Sequence, residues 1–153
     1  MLTVKEETPR QPEVEEMIRQ ADAFAEALYP PESRYPFDIE ALSQPKVRFF
    51  VARLSGKAVG CGALVMGKEG KAEIKRMFVS QKARGHGVGR VILEEIEAVA
   101  REKGVNRIRL ETGTSSHAAL SLYRSCGYRV RGPFGAYQAD QWTVFMEKKL
   151  AAG

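Results

Sequence analysis

Apolar residues change their spacing several times along this chain, and each change marks an element. Val14, Met17, Ile18, Ala21, Phe24, Ala25 and Leu28 recur at helical spacing, so the pattern predicts a helix over Pro12–Leu28 behind an opening strand within residues 1–8. The adjacent prolines of Tyr29-Pro30-Pro31-Glu32-Ser33-Arg34-Tyr35-Pro36-Phe37 must end that helix, because proline lacks the N–H that would continue it. A short helix is expected at Asp38–Ser43. Val47–Leu54 and Ala58–Met66 are rich in β-branched and aromatic residues, and Ser55-Gly56-Lys57 between them is hairpin chemistry. With a turn at Gly67–Gly70 and a strand at Ala72–Val79, they predict a meander of three antiparallel strands. Alternation would place Glu73, Lys75, Met77 and Val79 on one side of the last strand.

After Gln81 the period becomes helical: Val88, Val91, Ile92, Ile96, Val99 and Ala100 share one face, Glu94, Glu95, Arg101 and Glu102 the other, and Gly104 suits the C-cap. A strand at Arg107–Glu111, a helix at Ser116–Ser125, a strand beginning at Arg129 and Val130, and a closing strand at Trp142–Lys149 complete the order. The fold class is therefore α+β, with a crossover between strands near 72–79 and 106–111 that should be right-handed. One domain over residues 1–150 is the expectation for a chain of 153 residues with no internal repeat or low-complexity run.

Charge and composition exclude several classes. The net charge is +5, and Lys82–Arg109 holds seven basic residues against four glutamates around a glycine-rich segment, so a polyphosphate ligand explains the excess more economically than nucleic acid. Acids and prolines occupy the N-terminus where a signal peptide needs an apolar run, and no stretch is apolar enough to span a bilayer, which predicts a cytosolic protein with no membrane partner. Cys61 and Cys126 lack the spacing of zinc or redox motifs and read as two small buried thiols, with no metal site.

The segment Gln81-Lys82-Ala83-Arg84-Gly85-His86-Gly87-Val88-Gly89-Arg90 joins a strand to the first turn of a helix. A helix N-terminus offers unbonded N–H groups and a partial positive charge, and glycines let a ligand approach the backbone, so the site suits a pyrophosphate. It is not a P-loop, because Gly-Arg-Val stands where Gly-Lys-Ser/Thr is required. Nor does it fit the dinucleotide fingerprint, since three antiparallel strands precede it.

Arg84-Gly85-His86-Gly87-Val88-Gly89 resembles the R/Q-x-x-G-x-G/A signature of the GCN5-related N-acetyltransferase (GNAT) superfamily. Ala72–Val79 resembles that family's fourth strand, and Leu110-Glu111 with Ala119–Tyr128 resembles its fifth strand and following helix. The resemblance covers about Val47 to Leu150. Leu110-Glu111-Thr112-Gly113-Thr114 followed by Gly132-Pro133-Phe134-Gly135 and Tyr137 is similar to a bacterial subgroup, some members of which are labelled for indoleacetic acid, a molecule with no ordinary amine to acylate.

The resemblance implies a sheet split between the fourth and fifth strands, and transfer of an acetyl group from acetyl-coenzyme A to a small-molecule, amino-acid or peptide amine. Met77, Phe78 and Val79 would pair with the pantetheine arm, the amides of Gly85–Arg90 would hold the pyrophosphate, and Arg84, Arg90 or Lys82 would meet the remaining phosphates. Ser116 stands where many relatives have asparagine; its hydroxyl either caps the helix or reaches coenzyme A. Glu73 matches a general-base glutamate of some relatives and Glu111 competes for that role, the alternatives being ion pairing of Glu73 with Lys75 and of Glu111 with Arg109 or Arg76. Tyr123 matches the tyrosine that protonates the departing thiolate, and the N–H of Val79 or a neighbour would hold the carbonyl oxygen. His86 and His117 read as loop residues beside the cofactor. Acceptor contacts are expected in Tyr29–Phe37 and Gly132–Asp140, with Arg34, Tyr35, Tyr137 and Asp140 the polar and aromatic candidates. Relatives often dimerise, so the resemblance includes a homodimer among the assemblies. Rival readings are a non-catalytic acyl-coenzyme A-binding regulator, an O-acetyltransferase and, last, a nucleic-acid module.

Overall fold

Ser55 and Gly56 both take positive φ, 51° and 87°, which gives the tight turn whose twist matches the strands it joins. Accordingly β2 (Val47–Leu54) and β3 (Lys57–Met66) pair as an antiparallel hairpin, flanked by β1 (Leu2–Glu6) and β4 (Lys71–Val79). The computed structural model describes residues 1–35 and 37–151. Its remaining elements are α1 (Pro12–Leu28), α2 (Ile39–Leu42), α3 (Val88–Glu102), β5 (Arg107–Gly113), α4 (His117–Ser125), β6 (Arg129–Arg131) and β7 (Thr143–Lys149). Short 3-10 turns lie at Pro31–Ser33 and Gln81–Ala83, the first produced by the prolines that end α1.

The sheet order is β1-β2-β3-β4-β5-β7-β6, and every pairing is antiparallel except β4 with β5. The α+β class and the meander follow the hydrophobic pattern closely. The closing strand, however, does not end the sheet: β7 inserts between β5 and β6, leaving the three-residue β6 at the edge.

Period-two alternation in β2 sends Phe50 and Ala52 to one face and Phe49 and Val51 to the other, so the sheet has a core on each side. On one, Ile92, Leu93 and Ile96 of α3 pack with Phe50, Leu64, Ile74, Ile108, Leu110 and Met146. On the other, Val14, Met17 and Ile18 of α1 meet Leu42, Phe49, Val51, Cys61 and Ala63. Each of the larger side chains, the Val, Leu, Ile, Phe and Met among them, contributes about 1.5–3 kcal/mol by leaving water. One acid is buried within the first core: Glu97 accepts hydrogen bonds from Tyr128 Oη at 2.9 Å and Lys148 Nζ at 2.8 Å, which ties α3 to β7. None of the helices among the described residues is long and apolar enough to cross a membrane.

Two departures from regularity in β4 shape everything nearby. Cys61 pairs with Phe78 and Ala63 with Lys75, so Gly62 alone faces Arg76 and Met77: a bulge, with Arg76 in the left-handed region at φ 57°. The extra residue breaks the alternation. Met77 and Val79 therefore pack in the α3 core while Phe78 joins the α1 side, and the expectation that Glu73, Lys75, Met77 and Val79 share one face is wrong. Secondly, β4 pairs with β5 only from Lys71–Ile74 to Arg107–Leu110. Beyond Ile74 the strands part, as the resemblance implied, and β4 keeps β3 as its sole strand partner among the described residues.

Ile96 is fully buried at the centre of the α3 core. Ile96→Ala should lower the unfolding free energy by about 2–5 kcal/mol, read as a fall in urea midpoint with little change in slope.

Candidate active site

Where β4 and β5 part, a cavity of about 1070 Å³ opens. Its walls are Lys75–Val79, the loop from Arg84 into α3, the end of β5 at Glu111–Gly113, the start of α4 with Leu122 and Tyr123, and a lid from α1 and the segment after it. The open edge of β4 past Ile74 faces into this space, so its main-chain groups are available to an extended ligand.

Gly85 and Gly87 have φ of 87° and 71°, a region that side-chain-bearing residues rarely enter, and a Cβ on either would point into open space. They are glycines because the loop must turn, and the turn leaves the first amides of α3 bare. The first helical bond runs from Val91 N–H to the Gly87 carbonyl at 3.2 Å, so the amides of Val88, Gly89 and Arg90 precede any intrahelical acceptor. These bare donors and the positive helix end fit a pyrophosphate. Arg84 is exposed on the cavity wall, whereas Arg90 donates to Ser125 Oγ at 2.7 Å. Lys82 and His86 are exposed and lie off the wall; His117 is on it.

The two competing glutamates occupy different surroundings. Glu111 lines the cavity and makes no hydrogen bond or ion pair among the described residues, neither with Arg109, which stacks 4.9 Å from the Phe134 ring, nor with Arg76. Desolvation raises its pKa above the ordinary carboxylate range, reinforced by the charges of Glu73 and Asp140 and opposed by Lys75. Glu73 is off the wall and engaged: Tyr137 Oη donates to it at 2.6 Å and Lys75 Nζ at 3.4 Å.

Tyr123 is buried on the wall at the α4 side, and its hydroxyl has no partner among the described residues. Burial first, then the charge of Glu111, pushes its pKa far up, so the phenol keeps its proton at any working pH. Ser116 does not cap α4; its hydroxyl meets Tyr29 Oη at 2.8 Å, and Tyr29 also accepts from the Ser115 amide at 3.1 Å. Tyr29 reaches this point because Gly113 has no side chain; a Cβ there would collide with the ring.

The two variable segments come together. Tyr35 stacks edge-on against Tyr137 with centroids 4.8 Å apart, and Ser33 Oγ donates to Asp140 at 2.7 Å. Arg34 and Tyr35 line the cavity, while Tyr137 and Asp140 stand behind them as supports. Tyr29 falls in the segment expected to meet the acceptor, whereas sequence reasoning missed Lys75, Arg76 and Trp142, all on the wall. The available signal was the charge on both sides of β4, which no half-buried strand carries without a reason. The thiols also divide: burial pushes Cys61 up to about 12, but Cys126 is half-exposed, 3.5 Å from an Arg90 nitrogen, not buried as expected.

A model of the acetyltransferase (GNAT) family matches residues 14–128. The chain belongs to this family. It is 45% identical over 97% of its length to an Azospirillum brasilense protein named IAA acetyltransferase, covering 98% of that protein. Among solved structures, a Klebsiella pneumoniae protein named for acyl-CoA N-acyltransferase activity superposes with a TM-score of 0.85 at 38% identity, covering 99% of each chain. PaiA N-acetyltransferase of Thermoplasma acidophilum, solved in complex with coenzyme A, shares the fold at a TM-score of 0.80 and 20% identity over 98% of this chain and 99% of its own. The GNAT protein described here is thus an acetyl-CoA-dependent N-acetyltransferase.

Gly87→Val places a β-branched residue at φ 71° beside the bare amides. It should abolish measurable coenzyme A binding by calorimetry while the circular dichroism spectrum stays that of the parent. Unchanged affinity would remove the loop from the cofactor site.

Proposed function

We propose that this GNAT enzyme acetylates the primary amine of a small molecule by direct transfer, with Glu111 as base and Tyr123 as acid. The supporting observation is that one carboxylate and one phenol, both without partners among the described residues, line the same cavity where β4 leaves β5. Glu111, held above the normal range by desolvation, is matched to taking a proton from an ammonium. Glu73, engaged by Tyr137 and Lys75, acts as the electrostatic support that helps keep the Glu111 pKa raised.

In the step itself, the amine loses a proton to Glu111 and its lone pair attacks the thioester carbonyl carbon. The open β4 edge near Val79 supplies an N–H to the developing oxyanion. The C–S bond then breaks and the sulfur leaves as thiolate; Tyr123 gives it a proton and takes back the one that the acylated nitrogen releases, so the phenol is restored. Because a phenol is intrinsically the weaker acid, the transfer to the thiolate depends on a close hydrogen bond to sulfur. Met77–Val79 would hold the pantetheine arm, the amides from Gly85 to Arg90 the pyrophosphate, and exposed Arg84 an outer phosphate. The name of the Azospirillum relative points to indoleacetic acid, which lacks a basic amine, so the acceptor proposed here shares with it only the small size and not the reacting group.

Thiol release from acetyl-CoA in the presence of an amine panel tests this reading. A base must be unprotonated, so turnover should rise with pH as Glu111 titrates, through a midpoint above the ordinary carboxylate value of 4.5. Glu111→Gln should remove that limb and lower kcat by about 10²–10⁴-fold. Tyr123→Phe should lower kcat more than it raises KM. A retained acid limb in Glu111→Gln would assign the base elsewhere. Coenzyme A binding without turnover of any amine would favour a regulator.

A further inference from the structure

The acceptor end of the cavity holds more charge than the transfer needs, and most of it is already matched. Arg76 donates to Asp22 at 2.6 Å and Lys75 to Glu73 at 3.4 Å, so those four groups neutralise one another. Two groups of opposite sign are left under-engaged. Among the described residues Glu111 has no partner, and the Arg34 side chain meets only Glu26, at 3.8 Å on an exposed side chain. The Arg34 Nε is buried with no hydrogen-bond partner among the described residues, a state that costs free energy unless a ligand answers it. Arg34, Tyr35 and Glu111 all line the one cavity, so the cation and the anion open onto the same space.

An unanswered carboxylate and an unanswered guanidinium are together the complement of a zwitterion. The wall they share carries the aromatic rings of Phe24, Tyr29, Tyr35, Phe37 and Trp142. Resting on the proposed amine transfer, we infer that the acceptor is a free aromatic α-amino acid, its ammonium at Glu111, its α-carboxylate on the Nε edge of Arg34, and its ring against Tyr35 and Trp142. A guanidinium fork suits a carboxylate because two parallel N–H groups can meet two oxygens. Neither a peptide N-terminus nor a simple arylamine carries that carboxylate, so either would leave the Nε unanswered.

Tryptophan, tryptophanamide and tryptamine share ring and amine and differ at the carboxylate, so kcat/KM for the three, by acetyl-CoA thiol release, reads the inference directly. Tryptophan should exceed the other two by about 10- to 100-fold, the range for one charge-assisted hydrogen bond, even though the less basic amine of the amide is easier to deprotonate. Arg34→Gln should bring the tryptophan-to-tryptophanamide ratio toward one, and Arg34→Lys should restore part of it, with coenzyme A affinity by calorimetry confirming a folded protein. Equal wild-type rates for acid and amide would overturn the zwitterion assignment while leaving amine transfer standing. An undiminished ratio in Arg34→Gln would move the carboxylate away from this residue. Coenzyme A binding with no acetylation of any amine would overturn both readings together.

Discussion

Arg76 holds a left-handed backbone conformation in the middle of a strand, at φ 57°, where a residue with a side chain is strained by about 1–3 kcal/mol. Its own side chain offsets that cost: the guanidinium donates to the Phe37 carbonyl at 2.8 Å and to Asp22 of α1 at 2.6 Å. The bulge is thereby locked from outside the sheet. It bends β4 off the line that β5 follows, and pairing stops at Ile74 and Leu110. The cavity, the bare strand edge and the unpaired carboxylate of Glu111 all lie downstream of this one distortion, and α1 takes part in the site by holding the distortion as well as by covering it.

A consequence is that the two charged layers on β4 have separate tasks. Lys75 and Glu73 form a nearly buried pair under the Tyr137 hydroxyl, with the Lys75 ammonium also 5.3 Å from the centroids of both Phe37 and Tyr137. Such a pair adds little net stability but fixes the segment carrying Tyr137 against β4. With Lys75 occupied there, its charge only partly offsets the desolvation of Glu111. The proposed base is available because its neighbours are not.

The fold was legible wherever local chemistry determines it. Helix α1 ends where the prolines require, the β2–β3 turn falls on Ser55-Gly56, and α3 begins after the last glycine of its loop. The glycine loop was legible because a helix N-terminus with positive-φ glycines uses only neighbouring residues. The choice between Glu73 and Glu111 was not, because it turns on Tyr137 reaching back across 64 residues to engage one of them. The bulge at Arg76 was hidden for the same reason: nothing adjacent in sequence marks it, and its supports, Asp22 and Phe37, come from distant segments. The capping alternative for the Ser116 hydroxyl likewise fails, since its partner Tyr29 is 87 positions away.

The central claim is that the sheet stays open past Ile74 before any ligand arrives and that coenzyme A fills the opening through main-chain contacts. Amide hydrogen exchange on the free and coenzyme A-bound protein tests it directly. Amides on the outer edge of Lys75–Val79 and at Val88–Arg90 should exchange quickly in the free protein and slow markedly when coenzyme A binds. Protection of the Lys75–Val79 edge already present without ligand, or protection on binding confined to other parts of the chain, would contradict it.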